Sequence, residues 1–271
     1  MIRFALDYQG LANGGNMPDL AREASIAPFD AAKRVLGETP LFVERQVIRP
    51  VAGGRSIAST SGESPLHTDS QMILGVPATA QIIICVRAAK RGGESTFVDA
   101  FGVLERLEKE DPSAFAAAFD EPIVQSFYFG DVHGPIVALR GGHLAVTLAP
   151  NVATPLHAAI ERAPRQSIAM RDGDVLVASN HRMAHGRTAF DANDPRELVR
   201  LLVWLERPLA APPAFISRAR SAADITPEAL VRMRAVASLL RGVPPARIAR
   251  DLGITEAELY ALRDRALGAL G

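Results

Sequence analysis

The chain has almost no cysteine, no excess of charge of either sign and no long apolar run, and each absence removes a class of protein. One cysteine, Cys85, among 271 residues excludes an internal disulfide and fits a reducing cytoplasm. It sits in the apolar run Gln81-Ile-Ile-Ile-Cys-Val-Arg87 and reads as a core residue, not a nucleophile. Lys plus Arg and Asp plus Glu are equal at 30 each, so no long-range field draws the chain to nucleic acid or anionic lipid. A small-molecule partner is expected, without nucleic acid and without membrane. No apolar run approaches the roughly 18 residues of a membrane span. The N-terminus MIRFALDYQG lacks an apolar stretch after a basic start, so no signal peptide is expected and the location is expected to be cytoplasmic. No internal repeat or low-complexity tract is present.

What is there is a chain 48% apolar, long enough for one large domain with a small appendage. Residues 17–36 read as helix interrupted at Pro28, and 41–51 as a strand. A Gly- and Ser-rich loop, 52–65, leads into His67; long aperiodic loops are often functional. Short strands dominate from there to about Arg207: 81–87, 95–99, 122–129, 135–140, 143–148, 174–178 and 198–206. Helices are expected at 101–109, 112–119 and 155–162. Gly141-Gly142 between two strands is a hairpin signal. This pattern predicts a sandwich or barrel, mainly β with flanking helices. The expected division is a domain over 1–208, a linker over 209–222 containing Leu209-Ala-Ala-Pro-Pro-Ala214, and a helical tail over 223–271. Thr226-Pro227 reads as a helix start, and Thr255 as a cap of the last helix.

Ser64-Pro-Leu-His67-Thr-Asp69 puts an imidazole and a carboxylate two residues apart, on one side of a strand, where they can share an ion. Asp174-Val-Leu-Val-Ala-Ser-Asn180 reads as a strand running into a turn, with His185 just beyond. Two histidines and one carboxylate occupy one face of an octahedral metal and leave three positions open, as in non-haem Fe(II) oxygenases. Downstream, Arg196-Glu-Leu-Val-Arg200 spaces two arginines by four along a strand, and the planar guanidinium fork pairs carboxylates. The bland alternatives are local pairs of Arg196 with Asp191 or Asp194, and of Arg200 with Glu197 or Glu206. Asn180 and Arg187 can serve simply to brace the loop, and His181 reads as structural.

Taken together, His-x-Asp, a Gly-Gly strand, Asn180-x-Arg182-x-x-His185-Gly-Arg187 and Arg196-x-x-x-Arg200 resemble the TauD/TfdA (taurine dioxygenase-like) family over roughly residues 40–208. The resemblance implies a double-stranded β-helix, a jelly-roll and cupin-like core. It implies iron held by His67, Asp69 and His185, with 2-oxoglutarate and O2 as co-substrates. Arg196 matches the arginine that pairs with the distal 2-oxoglutarate carboxylate, and Arg200 the one near its other carboxylate or an anionic group of the substrate. Gly92-Gly-Glu-Ser95-Thr96 resembles the family's Gly-Gly-Asp-Thr strand, so Ser95 or Thr96 supplies the 2-oxoglutarate-binding hydroxyl. Gln71, Glu94 and Arg200 are the substrate-contact candidates. An intact Asp69 points to oxygenation over halogenation. The expected reaction is oxidation of a C–H bond, with hydroxylation first and desaturation or cyclisation as variants, on a small polar substrate such as an amino acid or natural-product precursor.

The tail resembles a helix-turn-helix across Ala246–Leu259, which opens the alternative of a metabolite-sensing regulator with a DNA-binding tail. Its second helix starts with Glu256 and Glu258, whereas DNA reading needs basic and amide side chains there. A packing or dimerisation module, with a homodimer through these helices, is the favoured expectation.

Overall fold

A computed structural model of the chain describes residues 2–4, 19–54, 57–69, 72–73, 75–127, 130–150, 152–222, 229–240 and 242–268. The elements up to the first long strands are β1 (Ile2–Phe4), α1 (Leu20–Ile26), α2 (Pro28–Leu36), β2 (Phe42–Ile48), β3 (Ser64–His67), β4 (Met72–Ile73), β5 (Val76–Pro77), β6 (Ala80–Arg87) and β7 (Ser95–Asp99). They continue with α3 (Ala100–Glu110), α4 (Pro112–Asp120), β8 (Ile123–Phe127), β9 (Gly130–Gly134), β10 (Val137–Arg140), β11 (His143–Val146) and α5 (Pro155–Arg162). The rest are β12 (Gln166–Ile168), β13 (Val175–Ser179), β14 (Met183–Arg187), β15 (Glu197–Trp204), α6 (Pro213–Arg218), α7 (Ala229–Leu240), α8 (Pro245–Leu252) and α9 (Glu256–Gly268).

Two sheets make the core: a larger one in the order β1-β13-β6-β15-β2 and a smaller one in the order β12-β7-β14-β3. Side chains alternate across a strand, so each strand of the larger sheet serves two layers. Ile82, Ile84, Val175, Val177, Val199 and Leu201 face outward and bury α1 and α2. Ile83, Cys85, Leu176, Ala178 and Leu198 face inward and meet Phe97, Ile168 and Met183 of the smaller sheet. The outer face of the smaller sheet, with Leu66, Val98 and Ala184, is covered by α3, α4 and α5. This is the jelly-roll, cupin-like architecture, mainly β with flanking helices.

The hairpin expected at Gly141-Gly142 joins β10 to β11 with Arg140 opposite His143, and both glycines have positive φ, 60° and 82°, as a two-residue turn requires. The short strands β1, β9 and β12 carry no clear period-two pattern and were not anticipated. The stretch 209–222 differs from a free linker. It contains α6, whose Phe215 is buried against Phe101, Phe115 and Phe119, and Leu139 bridges Ser221. The alanine- and proline-rich composition suggested a solvated spacer, but one aromatic among small residues suffices to dock it.

The tail is packed on the larger sheet's end. Val236, Ala237, Leu262 and Ala266 share a buried cluster with Phe42, Leu202 and Trp204. Trp204 is fully buried and its Nε1 donates to the Val76 carbonyl at 2.8 Å. Thr255 caps α9 in a capping box, accepting from Glu258 N at 3.2 Å while its own N donates to Glu258 Oε2 at 2.7 Å. The cap expected at Thr226 lies outside the described residues.

Candidate metal centre

Antiparallel pairing of β14 with β3 sets His185 directly opposite His67, ring centroids 4.5 Å apart. The i, i+2 argument had expected one strand to carry both His67 and Asp69. Strand β3 instead stops at His67, and the side chain of Asn180 fixes the carboxylate's backbone. Asn180 Oδ1 accepts from Asp69 N at 2.7 Å, and its Nδ2 donates to the carbonyls of Asp69 and Ala78 at 3.1 and 3.0 Å. His185 lies within β14, not merely after a turn. Gly186 beside it has no room for a side chain: a Cβ there would sit 2.5 Å from the Ser64 carbonyl oxygen. Arg187 holds the loop before His67 from the other side, donating to the Thr60 carbonyl at 2.9 Å and to the Gly62 carbonyl.

Ligand atoms of His67, Asp69 and His185 all lie within 4.8 Å of one another, the one such group among the described residues. The His67 Nδ1 to Pro65 carbonyl contact, 2.8 Å, takes the proton-bearing nitrogen and leaves Nε2 for an ion. His185 Nε2 and Asp69 Oδ2 face each other at 3.4 Å, buried, without a hydrogen-bond partner among the described residues. Buried orphan atoms on one imidazole and a carboxylate, with a second imidazole within reach, fit a divalent transition-metal ion. Burial, reinforced by His185, lowers the His67 pKa to about 4, so the ring is a neutral donor at pH 7. Burial alone would raise the Asp69 carboxyl; Arg200, then His185, outweigh it and hold that group well below the usual carboxylate range.

Arg200 does not pair with Glu197 or Glu206. Its Nη1 donates to Asp69 Oδ1 at 2.5 Å, and its Nη2 donates to Gln46 Oε1. Gln46 Nε2 in turn donates to Glu44 Oε1. Glu44 and Gln46 on β2, and Gln81 on β6, are polar residues that sequence reasoning missed. The available signal was the alternation Glu44, Gln46, Ile48 along one strand face.

Arg196 is 4% exposed and lies over the Phe190 ring at 5.1 Å, as Arg187 does at 4.9 Å. Its Nη2 donates to the Gly93 carbonyl at 3.2 Å, whereas Nη1 has no partner. Asp194 Oδ2 accepts from Lys90 N and Asp191 from Asn193 N; Asp194 acts on Arg196 through its charge, without a hydrogen bond between them. Burial, then the neighbouring Arg187, lowers its pKa to about 10; it stays charged at pH 7. Ser95 stands opposite Arg187 and shares the inward face with Phe97, whereas Thr96 stands opposite Gly186 on the side of Val98. Glu94 is engaged locally, its backbone N donating to Thr188 Oγ1 at 3.0 Å. Gln71 lies outside the described residues. His181 is bonded to the Pro77 carbonyl and meets His143 edge to face, apart from the ligand group.

The two facing sheets and the buried His-Asp-His group define a jelly-roll protein with a candidate mononuclear metal centre. The chain belongs to the taurine catabolism dioxygenase TauD, TfdA family, whose profile matches residues 25–151 and 152–202. It is 26% identical to gamma-butyrobetaine dioxygenase of Homo sapiens over 165 residues, 51% of this chain and 42% of that protein. It is 29% identical over 170 residues to gamma-butyrobetaine dioxygenase of Pseudomonas sp. (strain AK-1), 53% and 44% of the two chains. The chain spans about half the length of the relatives it matches. Its fold is similar to that of an asparagine oxygenase solved with Fe(II), 3-hydroxyasparagine and succinate, with TM-score 0.50, 18% identity and 64% of each chain covered.

Proposed function

We propose that the chain is a 2-oxoglutarate-dependent non-haem iron dioxygenase. It hydroxylates a C–H bond of a small polar substrate, an amino acid or related natural-product precursor, converting 2-oxoglutarate and O2 to succinate and CO2. The observation that carries this reading is the convergence of ligand atoms of His67, Asp69 and His185, with Asp69 Oδ2 and His185 Nε2 buried and without a hydrogen-bond partner among the described residues. The chain's names-in-kin support it, since its relatives include dioxygenases of gamma-butyrobetaine.

In this reading His67, Asp69 and His185 hold Fe(II), and bound iron with 2-oxoglutarate supplies the O2-dependent oxidation. Arg196 pairs with the distal carboxylate of 2-oxoglutarate, and Ser95, on the inward face, donates its hydroxyl in preference to Thr96. Arg200 keeps the Asp69 carboxylate ionised and oriented, and faces the region where the substrate binds. Phe97 and Met183 line the inner layer and exclude water. Residues 1–208 carry the reaction. The described part of the tail, 229–240 and 242–268, packs against them, and exposed Val231, Leu240 and Leu267 support a homodimer through its helices. The acidic start of α9 gives no support to DNA binding. No described helix is long and apolar enough to cross a membrane, and the free, buried Cys85 accords with a cytoplasmic setting.

The test is succinate release by protein loaded anaerobically with Fe(II), then given 2-oxoglutarate, O2 and a panel of amino acids and small acids. Turnover that needs both Fe(II) and O2 is expected, and Asp69→Ala or His185→Ala abolishes it. Retained turnover in either variant removes that residue from the metal.

A further inference from the structure

The register of the larger sheet places a second set of unsatisfied groups next to the metal centre. On the inward face, Gln81 of β6, Leu202 of β15 and Glu44 of β2 stand in one row, as Cα partners across the two pairings. The adjacent row is Ile83, Arg200 and Gln46. Gln81 is fully buried, and neither its amide oxygen nor its amide nitrogen has a partner among the described residues. Glu44 Oε2 and Arg200 Nε are likewise sealed from solvent and unpartnered. A buried amide with both ends unsatisfied is unfavourable relative to water unless something binds there.

The Glu44 carboxylate is also pre-set. Gln46 bridges it to Arg200, so Oε1 is held and Oε2 is left facing inward. A fixed carboxylate oxygen sealed from solvent calls for an N–H or O–H donor, and a cationic donor also neutralises its charge. A quaternary ammonium has no such hydrogen. The side chain between Glu44 and Gln81 is Leu202, apolar and non-aromatic, so it offers no π-face to a bare cation.

We infer that Glu44 and Gln81 are substrate-recognition residues and that the substrate bears a primary ammonium group, held by Glu44, with a second polar group held by Gln81. This rests on the dioxygenase reading above and narrows its substrate class to primary amines, away from trimethylated ones.

The experiment is calorimetric titration of anaerobic protein loaded with Fe(II) and 2-oxoglutarate. The probes are the twenty common L-amino acids, 4-aminobutyrate, gamma-butyrobetaine, and the N-acetyl form of each amine that binds. Binding of 2-oxoglutarate to the Fe(II)-loaded wild type is measured first; its absence overturns the dioxygenase reading itself. With that binding present, at least one primary amine is expected to bind, with its N-acetyl form at least tenfold weaker and gamma-butyrobetaine weaker than 4-aminobutyrate. Glu44→Gln should lower the amine's affinity at least tenfold and erase its advantage over the N-acetyl form, Glu44→Asp should restore part of it, and Gln81→Leu should lower affinity without erasing that advantage. The inference is overturned if no primary amine binds, if the N-acetyl or trimethylated form binds as tightly, or if Glu44→Gln binds the amine as wild type does. Unchanged affinity in Gln81→Leu overturns the role of Gln81. The comparison of ligands on the wild type stands even where a variant does not fold.

Discussion

Replacing Asn180 with alanine severs, in one step, two hydrogen bonds that tie the Asp69 backbone to the β13–β14 turn and a third to the Ala78 carbonyl. Asn180 is 1% exposed, and its side chain satisfies Asp69 N at 2.7 Å and the carbonyls of Asp69 and Ala78 at 3.1 and 3.0 Å. Each bond contributes about 1 kcal/mol net, and buried groups left unpaired cost about 1–3 kcal/mol each, so a loss of about 3–5 kcal/mol is expected. Because Asp69 is then free to shift, Fe(II) affinity should fall about 10–100-fold, the usual effect of removing a group that orients a metal ligand. The chain's one tryptophan, Trp204, is buried and reports unfolding in urea by fluorescence. Fe(II) affinity is read by anaerobic equilibrium dialysis. A stability loss below about 1 kcal/mol together with unchanged iron affinity would refute the argument that Asn180 positions the site.

Acid should destabilise the metal-free protein between pH 7 and 5. Burial, then a neighbouring histidine, lowers His67 to about 4 and His181 to about 3, from 6.5. The unfolded chain therefore takes up protons first as pH falls below 6.5, and stability present above that value drains away toward the folded values. The two rings together account for roughly 4 kcal/mol lost between pH 7 and 5; urea midpoints at the two pH values check this, and a flat profile would contradict the buried neutral rings. Asp69, shifted downward, adds nothing in that window. Gly186→Ala would press a methyl against the Ser64 and Pro65 carbonyls, 2.5 and 3.2 Å from its Cβ, and separate β3 from β14. A cost of about 1–3 kcal/mol and weaker Fe(II) binding by dialysis are expected. Leu262→Ala in α9 removes a buried contact of the cluster around Trp204 and should cost about 2–5 kcal/mol, with a red shift of the Trp204 emission; an unchanged spectrum would place the tail off the sheet.

Much of the site was legible because its chemistry is written in residue types with narrow uses. Strand register sets His67 opposite His185, Asp69 follows just past the strand end, and β7, α5 and the Gly141-Gly142 hairpin follow from local period and turn chemistry. Other features depend on contacts between distant segments and have no local signature. The Asp69–Arg200–Gln46–Glu44 chain joins three separate segments, so composition around any one of them cannot reveal it. Sequence adjacency offers Arg200 only Glu197 and Glu206 as local partners, and the family resemblance a carboxylate of a bound molecule, yet β-sheet register carries it across to Asp69. Strand β9, with glycine at both ends, is held by pairing with β8 and not by its own propensity. The docking of 209–222 turns on Phe215 alone, which a composition reading averages away.

The central claim is that His67, Asp69 and His185 hold one iron ion. Anaerobic equilibrium dialysis of Fe(II) against the wild type and the three single alanine variants tests it most directly, with circular dichroism to verify folding. The account predicts one Fe(II) per wild-type chain and at least a hundredfold loss of affinity in each folded variant; folded variants that bind iron as the wild type does would contradict it.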